Sequence, residues 1–306
     1  MENPIFVLLG AAGFVAPRHI EAIYSVGGEL CCACDKSDSV GVLDRRFPHC
    51  QFFLSENELE SYVDERKKSK APDIDFLSVC TPNYLHFSHI AFGLSHGMNV
   101  ICEKPLVLTS DELFRLQELE KRSGKKVFCI LQLRLHPQIQ KLKTRVEDLF
   151  AGDRQRSKLQ VSLNYVTSRG PWYKKSWKFD ESKSGGIASN IGIHFFDMLI
   201  RLFGYPTSFS IKDNDRERLE GTLDCPLAQI EFCLSIRQED LPQEVRNSDQ
   251  RSWRQMMIDG EPFDFTNGFT DLHTKSYEEI LAARGFGLQE ALPAVSLCES
   301  IRRTKG

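Results

Sequence analysis

Along the first 130 positions the apolar residues gather in short continuous runs separated by stretches of helical spacing. The runs 5–9, 29–34, 74–80, 99–102 and 126–130 have the length and composition of strands buried on both faces. Between them, 16–26, 56–68, 83–96 and 110–122 read as helices. Strands alternating with helices of this length predict a parallel, doubly wound sheet, whose ligands bind at the carboxyl ends of the strands.

The rhythm changes after Pro137. A helix over 138–150 passes through the polar segment 152–157 into longer β-type runs at 158–166, 208–212, 217–223, 227–234 and 251–258. A helical stretch at 186–203 interrupts them, and helices over 271–284 and 288–302 close the chain. Strands in series with few helices between them predict an open, largely antiparallel sheet with helices on one face. The implied division is an α/β nucleotide-binding domain over 1–131 and an α+β domain over 132–306.

A chain of 306 residues is long enough for both domains, and 41% hydrophobic with 26% charged residues excludes a disordered chain. A net charge of −3 gives no reason to expect nucleic acid or a membrane surface as partner. The opening MENPIFVLLG has no basic leader and only a short apolar run, so the expected location is the cytoplasm. Of ten cysteines, Cys80, Cys102, Cys129 and Cys233 fall inside apolar runs, which fits reduced, core-packed thiols. Cys31, Cys32 and Cys34 lack a second Cys/His pair at zinc spacing, so no metal site is expected.

The first turn, GAAGFVA at 10–16, joins a buried run to a helix through small residues. That arrangement lets the main chain approach a pyrophosphate at a helix N-terminus. Its spacing fits the dinucleotide fingerprint with one residue inserted, so that Gly10, Gly13 and Ala16 take the three glycine positions. Asp35 ends the next strand, where a carboxylate takes the ribose hydroxyls and disfavours a 2′-phosphate; the expected cofactor is NAD. Ala12, Phe14 and Val15 belong to the same turn, Thr81, Asn83 and His86 follow the run at 74–80, and Glu103 and Lys104 follow 99–102. With Gln132, after 126–130, these are the expected cofactor-binding residues. Singly they have plainer readings: Thr-Pro-Asn is a fair turn and helix cap, and His86 fits an ordinary helix face.

A second cluster, GGIASNIGIHFFD at 185–197, places Asn190, His194 and Asp197 on one face if the segment is helical. His194 alone also fits a packing histidine. Hydride transfer from a secondary alcohol needs a base for the hydroxyl proton and a donor for the developing alkoxide. His194 and Lys104 are the catalytic candidates, and either can take either role.

Taken in order, the glycine turn, TPNYLH at 81–86, EKP at 103–105 and the G-G-x-x-x-N-x-G-x-H run at 185–194 resemble the Gfo/Idh/MocA oxidoreductases. The resemblance covers essentially the whole chain and implies an N-terminal Rossmann domain. It also implies that Lys104 and His194 flank the nicotinamide and the reacting carbon. Many members carry aspartate where this chain has Asn190, whose amide orients an imidazole or binds a sugar hydroxyl but stabilises no imidazolium. Within the family, the segments at 10–19, 167–178, 189–199 and 268–281 are similar to bacterial UDP-N-acetylglucosaminuronate 3-dehydrogenases. That subfamily shares both the lengthened glycine turn and the asparagine.

The closer resemblance implies oxidation of the sugar 3-hydroxyl to a ketone on a route to lipopolysaccharide (O-antigen) sugars. It allows bound NADH to be reoxidised by 2-oxoglutarate, and it implies a homo-dimer or tetramer formed through the open sheet face. A UDP-sugar acid presents a diphosphate, a uracil and a carboxylate. Arg169, Lys174, Lys175 and Lys178 interleave with Trp172, Tyr173 and Trp177 in one short segment. Arg134, Tyr165, Arg169, Tyr173, Lys178, Asn190 and His194 are the substrate-side candidates. The same segment also reads as a solvated basic loop over packed aromatics. Competing functions are a dehydrogenase of another sugar or cyclitol, and a non-catalytic NAD-binding sensor. A sensor has no need of both Lys104 and His194.

Overall fold

The computed structural model describes residues 3–69, 71–153 and 156–304, so 154 and 155 of the polar 152–157 segment lie outside the described residues. The contacts divide the chain into two units, Met1–Gln132 with Asp271–Leu292 and Leu133–Thr270 with Pro293–Gly306.

The first unit is built on six parallel strands: β1 (Ile5–Leu9), β2 (Glu29–Cys34), β3 (Gln51–Phe53), β4 (Phe76–Val79), β5 (Asn99–Cys102) and β6 (Val127–Cys129). Their order is β3-β2-β1-β4-β5-β6, so the winding reverses between β1 and β4. A crevice at the carboxyl ends of the strands follows from that reversal. β1 is buried at all five positions, as its unbroken apolar run requires. Local sequence sets the helix limits. Pro17 stands in the first turn of Ala16–Ser25, and Thr109 and Glu112 form a reciprocal capping box at the start of Ser110–Ser123. The three-residue β3 and the helix Val42–Arg46 were not visible in the apolar pattern, because both are short and mostly part-exposed. The helix Leu272–Leu281 belongs to this unit, with Tyr277 and Ile280 in the core that holds Phe6, Leu8, Ile20 and Ile23.

The second unit carries β7 (Leu159–Thr167), β8 (Ser208–Asn214), β9 (Arg218–Asp224), β10 (Ala228–Ser235), β11 (Ser252–Ile258) and β12 (Glu261–Pro262), ordered β12-β11-β7-β10-β9-β8. β7 and β10 run parallel; the other pairs are antiparallel. β10 alternates buried Ala228, Ile230, Phe232 and Leu234 with exposed Gln229 and Glu231, which gives the sheet one apolar face. The helix Ile193–Phe203 packs on that face, where Phe196 meets Phe232 edge-on with ring centres 5.2 Å apart. Gly192 leaves room for that ring and for the sheet, since a Cβ there would lie 2.7 Å from the Phe196 ring and 3.0 Å from Leu234 of β10. The stretch 186–203 is not one α-helix: Ala188–Gly192 forms a π-helical turn ahead of Ile193–Phe203. All ten cysteines are free thiols, and Cys80, Cys102 and Cys129 are buried while Cys233 is half-buried. Among the described residues no helix is long and apolar enough to cross a membrane.

Candidate functional site

In the first unit the expected cofactor residues follow the strands that meet at the crevice. Gly10 leaves β1 with φ +85°, and a Cβ on it would lie 2.7 Å from the carbonyl carbon of Cys80, so only glycine fits. Its N–H donates to the Cys34 carbonyl at 2.9 Å, which ties the turn to the end of β2. Asp35 closes the same corner. One carboxylate oxygen accepts the Ala12 N–H at 3.0 Å and the other accepts the Ser37 N–H at 3.0 Å. Each oxygen keeps further acceptor capacity, so the anion remains available to a ribose hydroxyl. Phe14 is 86% exposed at the tip of the turn. A tight glycine turn at a helix start, flanked by a carboxylate, fits an NAD pyrophosphate and ribose.

The loops after β4 and β5 are joined by His86. Its Nδ1 lies 2.7 Å from the Pro105 carbonyl oxygen and its Nε2 2.9 Å from that of Thr81. Burial pushes this imidazole below its usual pKa, against the pull of the two carbonyls. Both ring nitrogens thus serve the protein, and Asn83 beside it is buried. Thr81 shares its hydroxyl with His89 Nδ1 at 2.8 Å. Lys104 is half-buried, and its peptide to Pro105 is cis. Gln132, half-buried, opens a short 3₁₀ turn after β6.

Glu103 turns into the unit rather than out of it. Its Oε1 accepts from His19 Nε2 at 3.1 Å and from His273 Nε2 at 2.9 Å, and its Oε2 accepts the Lys104 N–H at 3.2 Å. His19 Nδ1 meets the Tyr277 hydroxyl at 2.8 Å, and that hydroxyl meets Ser78 Oγ at 2.7 Å. Burial alone would raise the Glu103 pKa, but the hydrogen bonds from His19 and His273 hold it well below the usual carboxylate range. Burial lowers His19 below its ordinary value, opposed by Glu103. Sequence reasoning did not single out His19, His273 or Tyr277. Their signals are polar residues among apolar helix positions and their place in the segments 10–19 and 268–281 that carry the resemblance.

In the second unit the basic-aromatic segment is partly assembled. The Asn190 amide donates to the Tyr173 hydroxyl at 3.0 Å, and the Arg169 guanidinium stands 5.8 Å from the Tyr173 ring centre. Burial raises the Tyr173 pKa. The Lys178 ammonium lies 5.0 Å from the Trp177 ring and 5.7 Å from Trp172, with its pKa lowered by burial and then by Arg169. Tyr165 packs on Phe195 with centres 4.9 Å apart. Arg134 is buried and grips Asp197 through Nη2 at 2.6 Å and Nε at 2.9 Å. The proposed Asn190–His194–Asp197 face is therefore divided, with Asn190 directed to Tyr173 and Asp197 to Arg134. His194, half-buried, follows the π-helical turn.

Comparison with known proteins gives concordant matches to both units. Residues 5–130 match the Gfo/Idh/MocA oxidoreductase family's NAD-binding Rossmann fold, and 158–234 match that family's C-terminal alpha/beta domain. The WlbA (WbpB) dehydrogenase from Thermus thermophilus, in complex with NAD and alpha-ketoglutarate, is 41% identical with a TM-score of 0.92, covering 99% of this chain and 96% of that one. The same enzyme in complex with NAD and UDP-GlcNAcA aligns at 40% identity and TM-score 0.92, over 99% of this chain and 95% of that one. D-glucoside 3-dehydrogenase of Escherichia coli K12 is 24% identical over 231 residues, 73% of this chain and 61% of that protein. The matches to such curated relatives span less than two thirds of those proteins' lengths.

Proposed function

The chain belongs to the Gfo/Idh/MocA oxidoreductase family, and from that premise we propose that it oxidises the 3-hydroxyl of UDP-N-acetylglucosaminuronate to a ketone, with NAD as hydride acceptor. The observation that carries this reading is the whole-length similarity to the Thermus dehydrogenase that holds NAD and UDP-GlcNAcA. In the proposal, residues 1–131 bind NAD and 132–306 bind substrate and form the oligomer. Gly10, Ala12, Gly13, Phe14 and Val15 take the pyrophosphate, and Asp35 takes the ribose. Thr81, Asn83, His86, Glu103, Lys104 and Gln132 make up the rest of that edge, with His86 and Glu103 acting through the loops they brace. Lys104 and His194 share the proton transfer and the stabilisation of the developing oxyanion.

On the substrate side the reading assigns Arg169 and Lys178 to the anionic groups and Tyr165, Tyr173 and Asn190 to shaping the sugar site. Arg134 serves there as a strut through Asp197. The similarity to the enzyme crystallised with alpha-ketoglutarate supports reoxidation of NADH by a 2-oxo acid without release of the cofactor. Association through the polar face of the second sheet, cytoplasmic location and a role in lipopolysaccharide sugar synthesis complete the proposal.

The test is to incubate the protein with NAD, UDP-N-acetylglucosaminuronate and 2-oxoglutarate, and to assay 3-keto sugar and 2-hydroxyglutarate by mass spectrometry. Both products are expected. Absence of the ketone overturns the substrate assignment, and turnover of simple glucosides alone moves it to another sugar. Ketone without 2-hydroxyglutarate overturns only the recycling.

The Asp35 carboxylate makes a separate prediction. Asp35→Ser removes the like charge that opposes a 2′-phosphate and is expected to raise affinity for NADPH relative to NADH by about tenfold or more. Titration of cofactor fluorescence reads the ratio. An unchanged ratio removes Asp35 as the selector.

A further inference from the structure

We propose that Glu103 is the positioning residue for Lys104, with His19 and His273 holding its carboxylate so that the lysine's main chain is fixed at the end of β5. The inference deepens the reading of Lys104 as a proton-transfer group and rests on it. The hydrogen-bond directions can be followed atom by atom. An ionised carboxylate only accepts, so His19 Nε2 and His273 Nε2 both donate to Oε1. A neutral His19 then accepts at Nδ1, the Tyr277 hydroxyl donates to it, and the Tyr277 oxygen accepts from Ser78. Each hydrogen has one destination, and the far carboxylate oxygen receives the N–H of Lys104 itself.

The arrangement draws on four elements. Ser78 lies on β4, Glu103 directly follows β5, His19 lies on the helix that starts at the glycine turn, and His273 and Tyr277 lie on Leu272–Leu281. Ser78, His19 and Tyr277 are fully buried, and Glu103 and His273 nearly so. Burying a carboxylate is costly even when paired, and apolar side chains would dock the helix at less cost. What apolar side chains do not supply is an acceptor for the main-chain N–H of Lys104. Through His19 and Glu103 the helix of the nucleotide turn and the lysine loop are also connected by hydrogen bonds.

The ligand atoms of His19, Glu103 and His273 lie within 4.8 Å of one another, a separation that a metal ion also fits. The hydrogen-bond distances of 2.9 and 3.1 Å are accounted for by N–H donors alone. The zinc content of the purified protein separates a bound metal ion from this hydrogen-bonded cluster.

The test compares His273→Leu, which removes the donor at similar bulk, with His273→Gln, whose amide N–H replaces that of Nε2, in the NAD-bound protein. Two readouts are taken. Hydrogen–deuterium exchange at the Lys104 amide needs no substrate, so it stays informative if the substrate assignment fails; steady-state kinetics supply the other. His273→Leu is expected to accelerate exchange at Lys104 and lower kcat about tenfold each, the scale of one hydrogen bond to a charged group, with KM nearly unchanged. His273→Gln is expected to restore most of both. Unchanged exchange in His273→Leu overturns the proposal, as does a Gln variant no better than Leu. Equimolar zinc in the purified wild type, lost in His273→Leu, overturns it in favour of a metal site. If His273→Leu fails to fold, the same comparison at His19, with His19→Leu and His19→Gln, gives the answer.

Discussion

Lys104→Ala and His194→Ala each cut turnover by at least about 100-fold while NAD remains bound, because general acid–base groups contribute about 10²–10⁴-fold to such reactions. The expectation rests on the proposed chemistry. Oxidation of a secondary alcohol releases a proton as the hydride leaves, and the oxygen carries negative charge until the carbonyl forms. The first unit presents Lys104 at the end of a buried parallel strand, beside a carboxylate that is already hydrogen-bonded by two histidines. The second presents His194 just after a π-helical turn, a feature frequent at functional sites. Turnover is measured under single-turnover conditions by the appearance of bound NADH, and cofactor retention by its fluorescence. The pH profile of each variant then separates the roles, since the variant lacking the base loses the limb assigned to its ionisation. Near-normal turnover in His194→Ala removes it as the base. Near-normal turnover in Lys104→Ala removes the lysine and, with it, the ground for a positioning role at Glu103.

The strand-end location of Glu103-Lys104 was legible in the sequence, because a continuous apolar run ending in two charges and a proline marks the carboxyl edge of a buried strand. The inward turn of Glu103 was not. Its partners His19 and His273 are 84 and 170 residues away, and a hydrogen bond over such a separation leaves no periodic trace. For the same reason nothing in the pattern at 268–284 signalled that Leu272–Leu281 packs with the first unit. The parallel sheet, the glycine turn and Asp35 were readable because strand–turn–helix order is local. The assumption of uniform 3.6-residue spacing failed at Ala188–Gly192, where the π-helical turn changes the phase between Asn190 and Asp197. Arg134 shows a different limit. Residue type told that an arginine seeks an anion, but not that the anion would be Asp197.

That pairing leads to the second large effect: Asp197→Ala destabilises the second unit by about 3–5 kcal/mol, the scale of breaking a buried ion pair by removing one member. Arg134 is 8% exposed and Asp197 3%, and the guanidinium contacts both carboxylate oxygens at 2.6 to 3.2 Å. All three tryptophans, Trp172, Trp177 and Trp253, lie in this unit, so urea unfolding followed by tryptophan fluorescence reports on it selectively. The double replacement Arg134→Met/Asp197→Leu is expected to cost less than Asp197→Leu alone, because it removes both charges and keeps the volume. A strut and a ligand then give opposite results. If Arg134 acts on substrate directly, Asp197→Ala raises KM and leaves unfolding within about 1 kcal/mol of wild type, an outcome that overturns the structural role. If Arg134 holds the helix Ile193–Phe203 in place, stability falls first. Turnover then follows it, because that helix carries His194.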